Sequence, residues 1–358
     1  MTKKNKLKSR EISMRPFVYL RPSISEISIR FLVLLSLYVI MLLCTKSYSA
    51  FLVVLTSVLG SLCAASLNFL IFKEPPFHAI TILNQGLIIG LLLPETYPVL
   101  VVFFLTFFTL FVSHCLIFKS INSWLNIAAA AVIIAWFVGK KYFPSFLVTS
   151  DLLAVRNPSV YLIENGVFPI YDFDRTVISF LNEKIFSLLH VTVPEGFVSL
   201  LWDSKSAIPA FRFNLLTIIC SIIVFSDKAF SSIIPCLFLL VYSLLVRLFA
   251  PLINGGAFNQ GDIILALLSS GTLFCLVFML QWFGTTPVTL GGKIAYGILS
   301  GILYFIIVGL GTSPIGMVYT VLIMNIINLI IRSLEEQKNT KIMDNVVLTH
   351  PVAVSEEK

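Results

Sequence analysis

The sequence predicts an all-α, polytopic membrane protein with about ten transmembrane helices, arranged as an inverted repeat of five plus five. Three observations carry that expectation. The 358 residues are 58% hydrophobic and only 12% charged, with a mean hydropathy of +0.96. Soluble domains carry about 25% charged residues, so a surface this poor in charge needs lipid around it. The apolar runs are long and continuous rather than alternating, the pattern of spanning helices and not of barrel strands. Finally, Asn-Gln-Gly stands before an apolar run twice, at residues 84–86 and again at 259–261, an offset of 175. Five segments per repeat is an odd number, which inverts one half relative to the other.

In order along the chain, the first five segments are expected near Ser28–Cys44, Ala50–Phe72, Ala79–Leu93, Val99–Phe118 and Trp124–Val138. The next five are expected near Asn214–Phe225, Ile233–Ala250, Asp262–Phe283, Ile294–Leu310 and Ile315–Ile331. Several fall short of the ~20 residues of a straight span, so tilted or broken helices are expected. This divides the chain into a basic tail (1–27), a first membrane repeat (28–138), a loop (139–213), a second repeat (214–331) and a polar tail (332–358) read as a short, fraying helix.

Charge orients the scheme. The N-terminal region holds Lys3, Lys4, Lys6, Lys8, Arg10, Arg15, Arg21 and Arg30 against Glu11 and Glu26. The positive-inside rule makes that tail cytoplasmic, and with an even number of spans the C-terminus too. Lys73, Lys119, Lys228 and Lys293 fall in cytoplasmic connections, whereas Lys46, Lys140 and Lys141 fall opposite. The loop from Gly139 to Phe213 carries seven basic and seven acidic residues and is read as extracytoplasmic. The basic tail lacks the interleaved aromatics of a nucleic-acid binder, so no nucleic-acid partner is expected; the lipid bilayer is. The polar lead of about thirty residues is too long for a cleaved signal. None of the six cysteines forms a C-x-x-C, and no metal spacing, P-loop or dinucleotide fingerprint occurs.

The densest polar cluster in the apolar sequence is Asn259-Gln260-Gly261-Asp262, followed by Ser269-Ser270-Gly271-Thr272. Asp262 suits a helix N-cap, where its carboxylate accepts backbone N–H groups. A glycine-rich helix start with nearby hydroxyls also suits a polar ligand. The candidate site is therefore Asn84, Gln85 and Gly86 with Asn259, Gln260, Gly261, Asp262, Ser270 and Thr272, with no catalytic residue and no metal. The Thr285–Thr289 stretch with Gly291-Gly292-Lys293 reads as an ordered connection, His114 as a packing residue and Arg247 as a snorkelling side chain.

At these residues the chain resembles a family. Gly261–Thr272, then Pro287-Val288-Thr289 and Lys293, Tyr296-Gly297, Gly301 and Met324-Asn325 are similar to the last third of the RnfD/NqrB family. Gly86–Pro94 resembles its first-repeat helix entrance, and Asn126 with Ala128 its asparagine-rich turn. The resemblance implies a subunit of a bacterial inner-membrane electron-transport complex. It also implies a urea-transporter-like fold of ten helices, other Rnf- or Nqr-type membrane subunits as partners, and export of Na+ or H+. Family members carry FMN bound through phosphate to a threonine in an S-x-A-T motif, and some a riboflavin.

The corresponding stretch here is Ser204-Lys205-Ser206-Ala207-Ile208, with Ile208 at the threonine position. Isoleucine has no hydroxyl and forms no phosphoester, so any FMN or riboflavin would be held non-covalently. Asn84-Gln85, Trp282-Phe283 and Ser120-Ile121-Asn122 replace an acidic residue, an Asp-Pro pair and a glycine-rich turn. Three functions stay open: a subunit of the redox complex, a transporter or channel for a small solute on the same scaffold, and a scaffold subunit without chemistry of its own.

Overall fold

The computed structural model describes residues 23–73, 76–117, 124–144, 158–190, 192–226, 229–253, 257–309 and 313–349. The basic tail up to Arg21, Lys119, the Ser120–Asn122 turn and Lys228 lie outside them. The first helix, α1 (Ile24–Cys44), starts where Ser23 accepts the Glu26 N–H at 3.2 Å, and Glu26 pairs with Arg30 one turn on at 2.5 Å. It is followed by α2 (Tyr48–Phe72), α3 (Pro76–Leu92) and α4 (Val99–Phe111), which runs on as a π-helical turn over Val112–Ile117. Asn126 caps α5 (Ile127–Gly139) by accepting the Ala129 N–H.

Three short helices follow: α6 (Pro158–Glu164), α7 (Asp172–Lys184) and α8 (Phe197–Trp202). Then come α9 (Asn214–Phe225), α10 (Ile233–Ile253), α11 (Ile263–Leu268), α12 (Thr272–Phe278), α13 (Leu290–Val308) and α14 (Gly316–Thr349). Among the described residues there is no strand. Among those same residues five helices, α1, α2, α10, α13 and α14, are long and apolar enough to cross a membrane; α3, α4 and α9 are shorter apolar helices.

Two expectations are corrected. The segment expected as one helix over Asp262–Phe283 is two, because Gly271 adopts φ +64° and ends the first turn sequence. The polar tail does not fray at Arg332: α14 runs on without a break. Arg332 and Glu335 anchor it. Arg332 donates to the Thr286 carbonyl at 2.8 Å, and Glu335 accepts the Val288 and Thr289 N–H groups and the Thr289 hydroxyl. The Thr285–Thr289 connection is thus ordered as expected, and Thr289 caps α13 at the Gly292 N–H.

Packing uses small residues where helices meet. α2 lies along both α3 and α4, and α10 lies along α13. A Cβ on Gly60 would stand 2.8 Å from the Phe103 carbonyl, and one on Gly86 2.4 Å from Ser61. Across the other pair, a Cβ on Gly301 would stand 3.1 Å from the Phe238 carbonyl. Such seams let backbones approach in a medium that gives no hydrophobic push between helices. Between them sits an aromatic core. Phe31 packs edge-on to Phe278 at 5.8 Å, and Tyr38 edge-on to Phe274 at 5.3 Å.

The α2–α3 seam is tight enough to test. Gly86→Ala should lower stability by about 1–3 kcal/mol through overpacking, read as an earlier thermal transition in detergent. Adding Ser61→Gly should restore most of the loss; no recovery would mean that the cost arises elsewhere.

Candidate functional site

A helix interrupted inside an apolar protein leaves carbonyls and N–H groups that must find partners. The α11–α12 break solves this with side chains. Ser269 donates to the Leu265 carbonyl at 2.5 Å and Ser270 to that of Ala266 at 2.8 Å. Asn214, at the start of α9, donates to the Leu268 carbonyl at 2.9 Å. Thr272 and Ser270 lie 2.6 Å apart, and the Tyr304 hydroxyl of α13 reaches them at 2.7 and 3.0 Å. Beyond α12, Asn126 donates to the Met279 carbonyl at 3.1 Å, and Tyr296 donates to that of Leu280 at 3.2 Å. With its carboxamide oriented to satisfy both ends, Asn325 accepts the Asn126 N–H at 2.8 Å. Helices from both halves of the chain therefore close the ends of this one segment.

The second feature is the loop from Ser204 to Phe211. Its neck is a buried ion pair in which Arg212 donates twice to Asp203, at 2.9 and 2.6 Å. The third guanidinium contact reaches Ser47 beyond α1 at 2.6 Å. The Ser204 hydroxyl donates to the Phe211 carbonyl at 2.9 Å, and the Ala207 carbonyl accepts the Glu95 N–H at 2.9 Å. Lys205, at φ +50°, sits 5.6 Å from the centre of the Tyr171 ring. Burial first, and then the nearby Asp203 carboxylate, raise the Tyr171 phenol above its ordinary value. A cavity of about 200 Å³ lies beside the loop, lined among others by Phe168, Lys205, Ser206, Ala207, Phe211 and Ser269. Phe211 joins the two features, because its ring fills the space where a Cβ on Gly271 would sit.

The residues singled out in the sequence do not all converge here. Ser270 and Thr272 stand at the break, and Asp262 caps α11, accepting the Leu265 N–H at 3.0 Å and the Ser159 N–H of α6 at 2.8 Å. Asn259 is exposed, at φ +62°, and accepts from Arg247 at 3.1 Å. Gln260 is half-buried beside it. Gly261 is buried and packed so closely that a Cβ would meet the Val246 carbonyl. Arg247 does not simply snorkel, since it also donates to the Gly261 carbonyl at 3.1 Å.

The first triplet is a correction too. Asn84, Gln85 and Gly86 lie in the middle of α3, not at a helix entrance. Asn84 donates to the Ser28 carbonyl at 2.8 Å, Gln85 bonds His114 at 2.8 Å, and the Gly86 carbonyl accepts from Ser57 at 2.7 Å. Among the described residues no hydrogen bond joins the two triplets. Sequence reasoning missed Tyr304, Asn126 as a partner of Met279, and the Asp203–Arg212 pair. An acid and an arginine nine residues apart around a Ser/Pro-containing stretch is the signal that could have found the last.

The neck of the loop should dominate its stability. Asp203→Ala leaves a buried guanidinium without its carboxylate and should cost about 3–5 kcal/mol, seen as a lowered melting temperature. Replacing both partners with Leu and Met should recover much of it; a single-site loss near zero would show that the pair is solvated.

Ile208 is fully buried in the main apolar core and is not among the residues lining the cavity. The side chain at the position of the flavin-bearing threonine thus has neither a hydroxyl nor access. Ser206, which lines the cavity, accepts the Ile208 N–H at 3.3 Å, and Ser204 donates to the Phe211 carbonyl. The cavity is also smaller than the roughly 300 Å³ at the low end of ligand pockets. No curated protein matches the chain. The model of the NQR2, RnfD, RnfE family matches residues 11–341, nearly the whole sequence. With several apolar helices long enough to span, and that match from end to end, the chain is a multi-pass membrane protein belonging to the NQR2, RnfD, RnfE family, whose members are associated with membrane subunits of Rnf/Nqr electron-transport complexes.

Proposed function

We infer that this chain is a membrane subunit of an Rnf/Nqr-type complex that couples electron transfer to Na+ or H+ translocation, and that it carries no covalent FMN. The family match supports the first part. Buried, hydroxyl-free Ile208 carries the second. In this reading the chain has ten membrane segments, with α11 and α12 forming one broken segment and each half holding five. Parallel packing supports the inverted repeat: α2 lies on α4 as α10 lies on α13, and α1 lies on α3 as α9 lies on α12. The basic N-terminus and the C-terminal tail are cytoplasmic, and the segment from 139 to 213 lies on the other side of a bacterial inner membrane.

The chain's own contribution is a rigid, internally satisfied break between the halves. Tyr304, Ser270 and Thr272 form a buried hydroxyl cluster there, and Asn126 fixes the end of α12. Flavin chemistry and contact with the electron donor come from partner subunits. Co-expression with a flavin transferase should give no in-gel flavin fluorescence that survives denaturation; a labelled band would overturn the absence of covalent FMN.

A second reading, a transporter for a small polar solute, draws on unpartnered buried amides. Asn84 Oδ1 and both carboxamide atoms of Asn328 are fully buried with no hydrogen-bond partner. Each such atom costs about 1–3 kcal/mol unless water or a solute satisfies it. Proteoliposome uptake of small polar solutes by the parent, Asn84→Leu and Asn328→Leu separates this reading from a redox or a scaffold subunit. Equal uptake by all three would remove it.

A further inference from the structure

The segment 158–202 lies outside the spanning helices, yet it exposes large apolar side chains on one side of α7. At 3.6 residues per turn, Phe173, Val177, Phe180 and Lys184 fall within an arc of about 60°. The first three are 40%, 37% and 58% exposed. The turn that follows continues the patch with Ile185 and Leu188, the latter 79% exposed.

A second face of α7 is buried. Ile178 packs inward, and Asp174 accepts the Gly196 and Ser199 N–H groups ahead of and within α8, at 2.8 and 2.5 Å. The third face, with Asp172, Arg175, Thr176, Ser179 and Glu183, is polar and exposed, and Arg175 pairs with Glu195 at 2.9 Å. A helix with a packed side, an apolar side and a charged side has the form of an element lying in a membrane interface, its apolar stripe in the headgroup–acyl boundary. Lys184 closes the stripe with a stem long enough to keep its ammonium in water.

The position of the patch favours lipid over a protein partner. Phe173 packs edge-on to Trp202 at 6.1 Å. Trp202 adjoins Asp203, whose partner Arg212 touches Ser47 between α1 and α2 and stands two residues before α9. The apolar stripe is thus tied by a buried ion pair to the ends of three apolar helices, α1, α2 and α9. Tyr171, stacked on Phe173 at 5.7 Å and faced by Lys205, adds the aromatic and lysine composition of an interfacial belt.

We propose that α7 and the turn through Leu188 lie in the membrane interface, with Phe173, Val177, Phe180, Ile185 and Leu188 inserted among lipid headgroups and upper acyl chains. This rests on the chain's membrane location and not on its redox role. The test uses the full chain in liposomes of a neutral phosphatidylcholine. Phe180→Cys, Leu188→Cys and Arg175→Cys are each treated with a membrane-impermeant maleimide, with labelling of the parent's own cysteines subtracted. Phe180→Cys and Leu188→Cys should label at least about tenfold more slowly than Arg175→Cys, as thiols withdrawn from water do. The protection should be unchanged when lipid is added to dilute the protein, and lost in urea. Labelling of Phe180→Cys as fast as Arg175→Cys would overturn the proposal. So would protection that vanishes on dilution, marking contact between copies, or protection that arises only when other subunits of the complex are present, marking a protein partner.

Discussion

Inside a bilayer a helix can stop only where something takes over its backbone hydrogen bonds. The α11–α12 segment stops twice, and the architecture around it follows from how each end is met. Ser269 and Ser270 turn back onto carbonyls of their own helix, while Asn214, Asn126, Tyr296 and Tyr304 come from α9, the start of α5, and α13. Those donors hold helices from both halves of the chain in register. Losing any one leaves a carbonyl or hydroxyl without water to replace it, so the helices around the break cannot drift independently.

The same demand explains what the sequence could and could not reveal. Apolar length located most of the apolar helices to within a few residues, and Asn214–Phe225 at both ends, because lipid solvation is a property of composition alone. The break at Ser269–Gly271 was hidden because serines continue a helix as readily as they end one; the left-handed turn needs a glycine at 271, where the Phe211 ring also leaves no room for a Cβ. The paired Asn-Gln-Gly triplets misled for a related reason. Three letters carry no information about whether a helix has already begun, and α3 begins eight residues before Asn84. Arg247 was opaque because its partners, Asn259 and the Gly261 carbonyl, are brought to it by the turn that follows its helix.

The loop from Ser204 to Phe211 sharpens the comparison with the family. Its neck, hydroxyl contacts and docking onto Glu95 form a built structure that persists without the residue expected to carry flavin. Ile208 contributes instead to the core. A threonine at this position would bury its hydroxyl rather than present one.

The last helix has a mechanical consequence. Its 34 residues make a rod of about 51 Å at 1.5 Å per residue, against a hydrocarbon core of roughly 30 Å. The Arg332 and Glu335 contacts with the α12–α13 connection lie about halfway along it. The outer half is therefore a lever arm with a fixed fulcrum. A displacement of that outer half would be felt first at Thr286–Thr289 and then, along α13, at Tyr304 beside the buried break.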